Sequence, residues 1–227
     1  MENVNAATFA NYAHDVLGKL FHDHDVVIMV GGTGLYIKAF AEGLDNIPDI
    51  PADIRNEVRS SYREKGMEWL KAEVKHQDPE YFATGEIENP HRMMRALEVK
   101  LATGSGIRDF QLQKQNDNKG FAIEKYALDI PRQTLYQNID ARVDKMMHDG
   151  LEVEARSLFP LRHLGALQTV GYSELFDYFV GSCTLHFAIE KIKQNTRRYA
   201  KRQLTWFRKD EQIKWIAPGS FPALIKT

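Results

Sequence analysis

The feature that most constrains the fold is a run of five apolar residues, 26–30, that leads directly into a glycine turn. Polar residues precede the run, and Gly31-Gly32-Thr33-Gly34 follows it. A continuous β-branched run bounded in this way is typical of a strand buried on both faces of a parallel sheet. Apolar residues at helical spacing over 6–21 and over 35–44 flank it. The pattern therefore predicts helix, buried strand, glycine turn and helix, in an α/β core.

The rest of the chain divides into a helical part and a return to the sheet. Three segments carry helical patterns with no strand candidate between them, at 54–74, around Tyr81-Phe82 and at 90–102. A polar linker follows at 111–120, and 126–130 is predicted as a second buried strand that Pro131 ends. Further helices are predicted at 135–147, 151–158, 172–180 and 184–208, with a last strand at 214–216. The predicted domains are an α/β core, 1–48 with 122–227, and a helical insertion with its linker, 49–121.

Composition excludes several classes of protein. A chain of 227 residues can bury a sizeable core without disulfides, and its single cysteine, Cys183, cannot form one within the chain. The simplest expectation is a reducing, cytoplasmic location. The first ten residues do not resemble a secretory signal, and no apolar stretch approaches the length of a membrane span, so no membrane partner is expected.

A cationic stretch near the C-terminus departs from the nearly neutral net charge of −1. Residues 191–209 contain no Asp or Glu, and their basic residues are Lys191, Lys193, Arg197, Arg198, Lys201, Arg202, Arg208 and Lys209. Such a stretch indicates a polyanion partner, although a solvated basic face is the common alternative. Helical spacing predicts a largely buried stripe on the opposite side, formed by Ile189, Ile192, Thr196, Tyr199, Gln203 and Trp206.

Three smaller patterns have both a functional and a structural interpretation. The glycine turn could present N–H groups and the Thr33 hydroxyl to an anion, but no segment ends in Gly-Lys-Ser/Thr as a P-loop does. Spacing alone favours a tight strand-to-helix connection. Arg92 and Arg95, one turn apart, could clamp nucleic acid or pair with Glu88 or Glu98. Residues 168–172 suit base contact, or a capping turn followed by a core tyrosine.

Several motifs, in one order along the chain, resemble the tRNA dimethylallyltransferase (isopentenyltransferase) family. They are the segments 30–39, Ile50-Pro51 with Arg55, 89–99, 168–172 and 196–208. The resemblance implies an α/β fold, with a P-loop-NTPase-like parallel-sheet core and an inserted all-helical domain. The family's first strand and P-loop are absent from this sequence.

That resemblance also implies an activity. The family transfers a dimethylallyl group from dimethylallyl diphosphate to the exocyclic N6 of the adenine 3′ of the anticodon. The target base must leave its stack, a base must take a proton from the amine, and cations must stabilise the leaving pyrophosphate. The implied partners are the tRNA anticodon stem-loop and dimethylallyl diphosphate. Mg²⁺ is the implied cofactor, held largely by the substrate diphosphate and the absent N-terminal segment, and a monomer is expected.

The resemblance assigns site residues by motif. Thr33 and Arg142 are the implied catalytic residues, and Gly32 and Lys38 join them at the diphosphate. Without the resemblance, Arg142 would be an exposed helix residue paired with Asp140 or Asp144. No protein metal ligand is assigned. The implied tRNA-binding residues are Arg55, His91, Arg92, Met93, Met94, Arg95, Gln168, Thr169, Val170, Gly171, Tyr172, Arg198, Lys201, Arg202, Gln203, Thr205, Trp206 and Arg208.

Two family elements have no counterpart here, namely the phosphate loop and an Asp-Ser element whose Asp is the expected general base. We expect an N-terminally truncated member, since the intact downstream motifs argue against a degenerate paralogue, and we expect little or no turnover from this chain alone. One rival interpretation is an isopentenyltransferase for free adenine nucleotides, which would need no large RNA surface. Another is an RNA-binding protein that lost the phosphate loop but kept the tRNA surface.

Overall fold

The computed structural model describes residues 5–110 and 120–220, and within these ranges the protein is rich in helix with one small parallel sheet. The helices of the first part are α1 (Ala6–Leu20), α2 (Gly34–Glu42), α3 (Ala52–Gln77), α4 (Pro79–Thr84) and α5 (Pro90–Thr103). Those of the second part are α6 (Arg132–His148), α7 (Leu151–Leu158), α8 (Tyr172–Phe179) and α9 (Leu185–Phe207). The strands are β1 (Tyr126–Leu128) and β2 (Lys214–Ile216).

The predicted helices are confirmed with ends that differ by a few residues. Local chemistry explains the agreement, because several helices begin at a side chain that accepts a hydrogen bond from the first turn. The Asn89 side chain accepts from the backbone of His91 and Arg92 at the start of α5, and the Thr184 hydroxyl accepts from Phe187 at the start of α9. Helix α3 is kinked at Gly66, whose φ of 76° lies in the region that favours glycine.

The strand predicted at 26–30 is wrong. Residues 26–33 have no regular secondary structure, and the side chains of Val26, Ile28, Met29 and Val30 are 44% to 90% exposed. A strand needs a neighbour to pair its N–H and C=O groups, and β1 and β2 pair only with each other in the described part of the chain. The apolar run alone therefore did not determine a strand here.

Strands form at the two positions predicted after residue 120, although β1 is half-buried to exposed where a buried strand was predicted. In the described part of the chain they pair only with each other, so the sheet to which β1 returns does not contain residues 26–30. Strands β1 and β2 are parallel, with Tyr126 opposite Lys214 and Leu128 opposite Ile216. The first strand is shorter than the predicted 126–130, and the Lys125 ammonium donates to the Asp210 carboxylate at 2.7 Å just before β2. This pairing brings the end of α9 beside β1, although 85 residues separate Lys125 from Asp210.

The chain divides into two compact units, Met1–Asp15 with Lys38–Lys119, and Val16–Ile37 with Gly120–Thr227. In the first unit, α3, α4 and α5 enclose a core of Val58, Leu70, Val74, Tyr81, Met93, Met94, Ala96 and Leu97. In the second, α6 to α9 enclose a core of Val143, Leu151, Ala155, Leu175, Phe176, Ala188 and Ile192. Each unit thus has a hydrophobic core of its own.

The linker predicted at 111–120 lies outside the described residues except for Gly120, and the domain limits drawn through it stay a prediction. Among the described helices, none is both long enough and apolar enough to cross a bilayer.

Candidate functional site

The outward face of α9 forms a cationic groove with a volume of about 410 Å³. Its lining residues recur at helical steps of three and four, and we call this surface the α9 groove: Arg198, Lys201, Arg202, Thr205, Trp206 and Lys209. All six side chains are exposed, and the lining contains four cations and no carboxylate. The groove therefore presents concentrated positive charge to solvent.

Two of the remaining basic residues of the stretch, Lys193 and Arg197, form ion pairs with carboxylates of α6. The Lys193 ammonium lies 2.7 Å from the Asp144 carboxylate and 3.2 Å from that of Glu190, and Arg197 pairs with Asp140. The hydrogen bond to Asp144 raises the pKa of Lys193. The predicted basic helix thus has one side with ion pairs to α6 and another side with cations exposed to solvent.

The predicted buried stripe of α9 is only partly correct. Ile192 is buried, together with Ala188 and Ala200, but Tyr199 is 41% exposed and Trp206 is 38% exposed. The Arg202 guanidinium, which is itself exposed, lies over the Tyr199 ring at 5.6 Å. Arg208 likewise lies over the Trp215 ring at 5.6 Å.

The glycine turn packs against the C-terminal half of α9. The Gln203 amide donates to the Gly32 carbonyl at 2.8 Å. A Cβ at Gly32 would overlap that amide, and a Cβ at Gly34 would overlap the indole of Trp206. These glycines therefore serve close approach to α9, which is the steric interpretation that spacing alone favoured. Because Trp206 also lines the α9 groove, the turn and the groove adjoin.

Thr33 stands exposed between these two glycines. Its carbonyl accepts from the backbone of Tyr36 at 2.9 Å and of Ile37 at 3.1 Å, so it precedes the first turn of α2. Lys38 is exposed further along α2. Neither position identifies a ligand by itself.

Arg142 is exposed on α6, and its two acidic neighbours are engaged elsewhere. Asp140 pairs with Arg197, and Asp144 pairs with Lys193. The structural alternative for Arg142, an ion pair with one of these carboxylates, is therefore not what the described residues show. Arg142 does not line the α9 groove.

Residues 168–170 are exposed and lead into α8, whereas Gly171 is buried and the half-buried Tyr172 begins the helix. The Gln168 amide donates to the Arg162 carbonyl at 2.5 Å, and the side chains of Thr169 and Val170 face solvent. Gly171 has a φ of 105°, which a side chain would strain. The Tyr172 hydroxyl donates to Glu154, and this hydrogen bond raises the pKa of Tyr172.

Two functional candidates, Glu174 and Asn195, were not predicted from the sequence patterns. Glu174 is only 8% exposed, and its carboxylate accepts from the Gly171 backbone N–H at 2.8 Å and from the Asn195 amide at 2.6 Å. A glutamate three residues after a helix-capping position is one half of a capping box, and that spacing could have indicated the first contact. Nothing in the sequence indicated the second, which spans 21 residues.

In the first unit, the predicted RNA-binding residues of α5 separate into two groups. His91 and Arg92 are exposed and Arg95 is half-buried, but Met93 and Met94 lie in the core at 0% and 8% exposure. A buried side chain cannot contact a partner, which corrects the prediction for these two methionines. Their positions on the helix face the core, since α5 packs on α3 along that side.

The contacts of Arg92 and Arg95 agree with the structural interpretation, ion pairing, although the partner of Arg92 is not one of the two glutamates predicted. Arg92 pairs with Glu86, while Arg95 lies 3.7 Å from the buried Glu98. Arg59 of α3 approaches the same Glu98 carboxylate at 3.8 Å. Glu88, the other proposed acidic partner, binds Lys71 instead. Arg55 donates to the Ile50 carbonyl at 3.3 Å.

The described residues form no cluster of three or more His, Cys, Asp or Glu side chains that could hold a metal ion.

The chain is similar to proteins of one known family. An IPP transferase family model matches residues 1–210. The tRNA dimethylallyltransferase of Christiangramia forsetii is 48% identical over 200 residues, covering 88% of this chain and 66% of that protein. The chain thus spans about two thirds of the length of this curated relative.

Solved structures agree in fold. The full-length tRNA isopentenylpyrophosphate transferase of Bacillus halodurans matches with a TM-score of 0.62 and 33% identity, over 95% of this chain and 68% of that one. A eukaryotic dimethylallyltransferase acting on tRNA matches with a TM-score of 0.70 over 95% of this chain and 57% of that one. At 20% identity, the second likeness shows the fold alone.

Proposed function

The chain belongs to the IPP transferase family of tRNA dimethylallyltransferases, and from this membership we propose that it binds the anticodon stem-loop of tRNA. The proposed reaction is transfer of a dimethylallyl group from dimethylallyl diphosphate to N6 of the adenine 3′ of the anticodon. The proposal combines the family with one observation, the α9 groove and its four cations without a carboxylate.

The composition of the groove suits a nucleic acid better than a protein partner. Arg and Lys side chains contact phosphate and sugar oxygens, which sets the position of the RNA without reading its sequence. Trp206 stands among these cations with its indole partly exposed. An aromatic face beside cations allows an unstacked base to stack there, as single-stranded loops do on their binding proteins. The groove therefore fits a loop with splayed bases.

We propose that Thr33 and Arg142 act at the diphosphate, with Gly32 and Lys38 beside them. The Thr33 hydroxyl is exposed next to the turn that packs on Trp206, and the acidic neighbours of Arg142 are bound to α9. A guanidinium free of local carboxylates can stabilise charge that develops on a leaving pyrophosphate. A Mg²⁺ ion, which the family reaction implies, would supply further neutralisation through the diphosphate oxygens.

The other proposed RNA contacts are the loop 168–172 and the exposed cations of the first unit. Supporting observations are the exposed side chains of Gln168, Thr169 and Val170, and the exposed His91 and Arg92. We propose that the segment 49–121 is a helical insertion and that 1–48 with 122–227 forms a P-loop-NTPase-like core. The parallel pairing of β1 with β2 supports a parallel-sheet core.

The test is binding of a fluorescent anticodon stem-loop by the wild type and by the double variant Lys201→Ala with Arg202→Ala. We expect weaker binding and a log–log salt dependence that is flatter by about two units, because each lost phosphate contact removes about one. A control variant, Lys145→Ala with Arg156→Ala, removes the same charge from exposed ion pairs on α6 and α7. Equal salt slopes for all three proteins would remove the α9 groove from the interface.

Competition separates this function from prenylation of free nucleotides. We expect an unlabelled anticodon stem-loop to displace the fluorescent one at far lower concentration than AMP does. If AMP competes as strongly as the RNA, the isopentenyltransferase for free adenine nucleotides becomes the better interpretation.

A further inference from the structure

A chain of three hydrogen bonds joins the loop 168–172 to the α9 groove. The Gly171 N–H donates to Glu174 at 2.8 Å, and the Asn195 amide N–H donates to the other oxygen of the same carboxylate at 2.6 Å. The Arg198 guanidinium then donates to the Asn195 amide oxygen at 3.4 Å. The two ends of this chain are therefore a loop backbone and a cation of the groove.

The orientation of the Asn195 amide depends on the buried carboxylate. An ionised carboxylate only accepts hydrogen bonds, so it binds the NH₂ side of the Asn195 amide. The oxygen of that amide is then directed to Arg198. Glu174 is 8% exposed, and burying a charge without hydrogen-bond donors is costly. The carboxylate therefore needs the N–H groups of Gly171 and Asn195, and it also holds these two groups in position.

We propose that Glu174 and Asn195 are positioning residues that hold Arg198 and the loop 168–171 as one preorganised RNA-binding surface. This inference rests on the proposed function. Arg198 is exposed and has many rotamers, and a long side chain already held in place loses less freedom when it binds a phosphate. The loop and the groove would then meet the RNA together.

The competing explanation is that Glu174 only caps α8 through Gly171. Glu174→Gln separates the two, because a glutamine oxygen can still accept from Gly171. Its NH₂ group, however, would face the NH₂ group of Asn195. The Asn195 amide must then rotate to offer its oxygen, which directs its NH₂ toward Arg198 and removes the acceptor. Capping survives this change, and positioning of Arg198 does not.

The first measurement is stem-loop affinity of Glu174→Gln as a function of salt. We expect a loss of about twofold to tenfold, the range for one side chain that must be ordered on binding, with a flatter salt dependence. This loss opposes the charge change, since the variant has one negative charge fewer. Unchanged or tighter binding would overturn the inference.

Rescue by a charge-conserving exchange is the second measurement. Adding Asn195→Asp to Glu174→Gln restores a carboxylate that accepts from both the glutamine amide and Arg198, so affinity should return to within about twofold of the wild type. Asn195→Asp alone places two carboxylates at hydrogen-bond distance, so we do not expect this single variant to reach wild-type affinity for the stem-loop. If the double variant binds no better than Glu174→Gln, the hydrogen bonds from Glu174 through Asn195, which we call the relay, do not position Arg198.

A double-mutant cycle tests whether Arg198 is the last member of this series of hydrogen bonds. Arg198→Ala should cost affinity in the wild type but less than about twofold in Glu174→Gln, because coupled residues are not additive. Arg202→Ala is the matched control, since Arg202 lines the same groove and stacks on Tyr199 instead. Equal costs of Arg198→Ala in both backgrounds would contradict the inference.

A readout without RNA keeps the inference separate from the proposed function. Rotation of the Arg198 guanidinium, followed by ¹⁵N NMR, should be slower in the wild type than in Glu174→Gln and slow again in the exchange variant. If the wild type binds no stem-loop, the proposed function fails, and this rotation alone decides whether the relay exists. Equal rotation in all three proteins would refute it.

Discussion

At the scale of single residues, Gly32 and Gly34 are important because the absence of a Cβ leaves space for side chains of α9. Each lies against a side chain of α9, Gly32 against the Gln203 amide and Gly34 against the Trp206 ring. Gly31 has open surroundings, with only the Ile37 side chain at 3.9 Å from the position of a Cβ. The three glycines of one turn therefore tolerate substitution differently.

We predict that Gly34→Ala lowers the free energy of unfolding by about 1 to 3 kcal/mol, because a rigid indole must move to admit a methyl group. Gly31→Ala should change it by less than about 0.5 kcal/mol. Gly32→Ala should fall between them, since the flexible end of Gln203 can move at the cost of one hydrogen bond, about 1 kcal/mol. Urea unfolding measures all three, and equal losses would contradict the steric explanation.

At the scale of elements, α9 carries two kinds of cation. Lys193 and Arg197 bind the carboxylates of α6, which neutralises one side of the helix. The four cations of the α9 groove meet no carboxylate in its lining. The packing of α6 on α9, and not the local sequence of α9, thus selects which basic residues remain for a partner.

We predict that Asp144→Asn lowers the pKa of Lys193 toward its ordinary value, because its largest cause, the hydrogen bond to Asp144, is lost. The folded-state pKa of Lys193 is raised, so the pair stabilises the wild type fully below the unfolded pKa of about 10.4. That contribution, below about 1 kcal/mol for an ion pair near the surface, disappears as the pH rises through the folded pKa. NMR titration of the Lys193 side chain gives the pKa, and an unchanged value would contradict the prediction.

The same experiment has a control on α6. Lys145 and Asp149 form an exposed pair at 2.7 Å that does not involve α9. Asp149→Asn should therefore leave the titration of Lys193 as it is in the wild type.

At the scale of the whole molecule, the described residues include two hydrophobic cores, one in each unit, that share no residue. Leu70 is fully buried in the first, and Leu175 is fully buried in the second. Removing a large buried side chain leaves a cavity, and the resulting loss of stability falls on the cooperative unit that contains it.

We predict that Leu175→Ala and Leu70→Ala each cost about 2 to 5 kcal/mol, and that hydrogen exchange localises the losses. Leu175→Ala should lower amide protection in α8 and α9, and Leu70→Ala should lower it in α3 and α5. Val153→Ala, at a side chain 74% exposed on α7, should be close to neutral. Equal loss of protection in both sets of helices from either variant would show that the two cores unfold together.

The sequence by itself determined the helices, the positions of the two strands β1 and β2, and the family. Helix ends depend on neighbours within four residues, such as Asn89 before α5 and Thr184 before α9, so a local pattern contains the information. The motifs of the family are also local, and the family model matches residues 1–210.

Only the tertiary structure decided the state of residues 26–30, the burial of Met93 and Met94, and the link from Glu174 through Asn195 to Arg198. The physical reason is common to all three. A strand exists only with a partner strand, a side chain is buried only against another element, and a carboxylate is satisfied only by donors that the fold brings to it. In each case a decisive partner, such as Asn195 for Glu174, lies outside the local sequence window that a residue pattern describes.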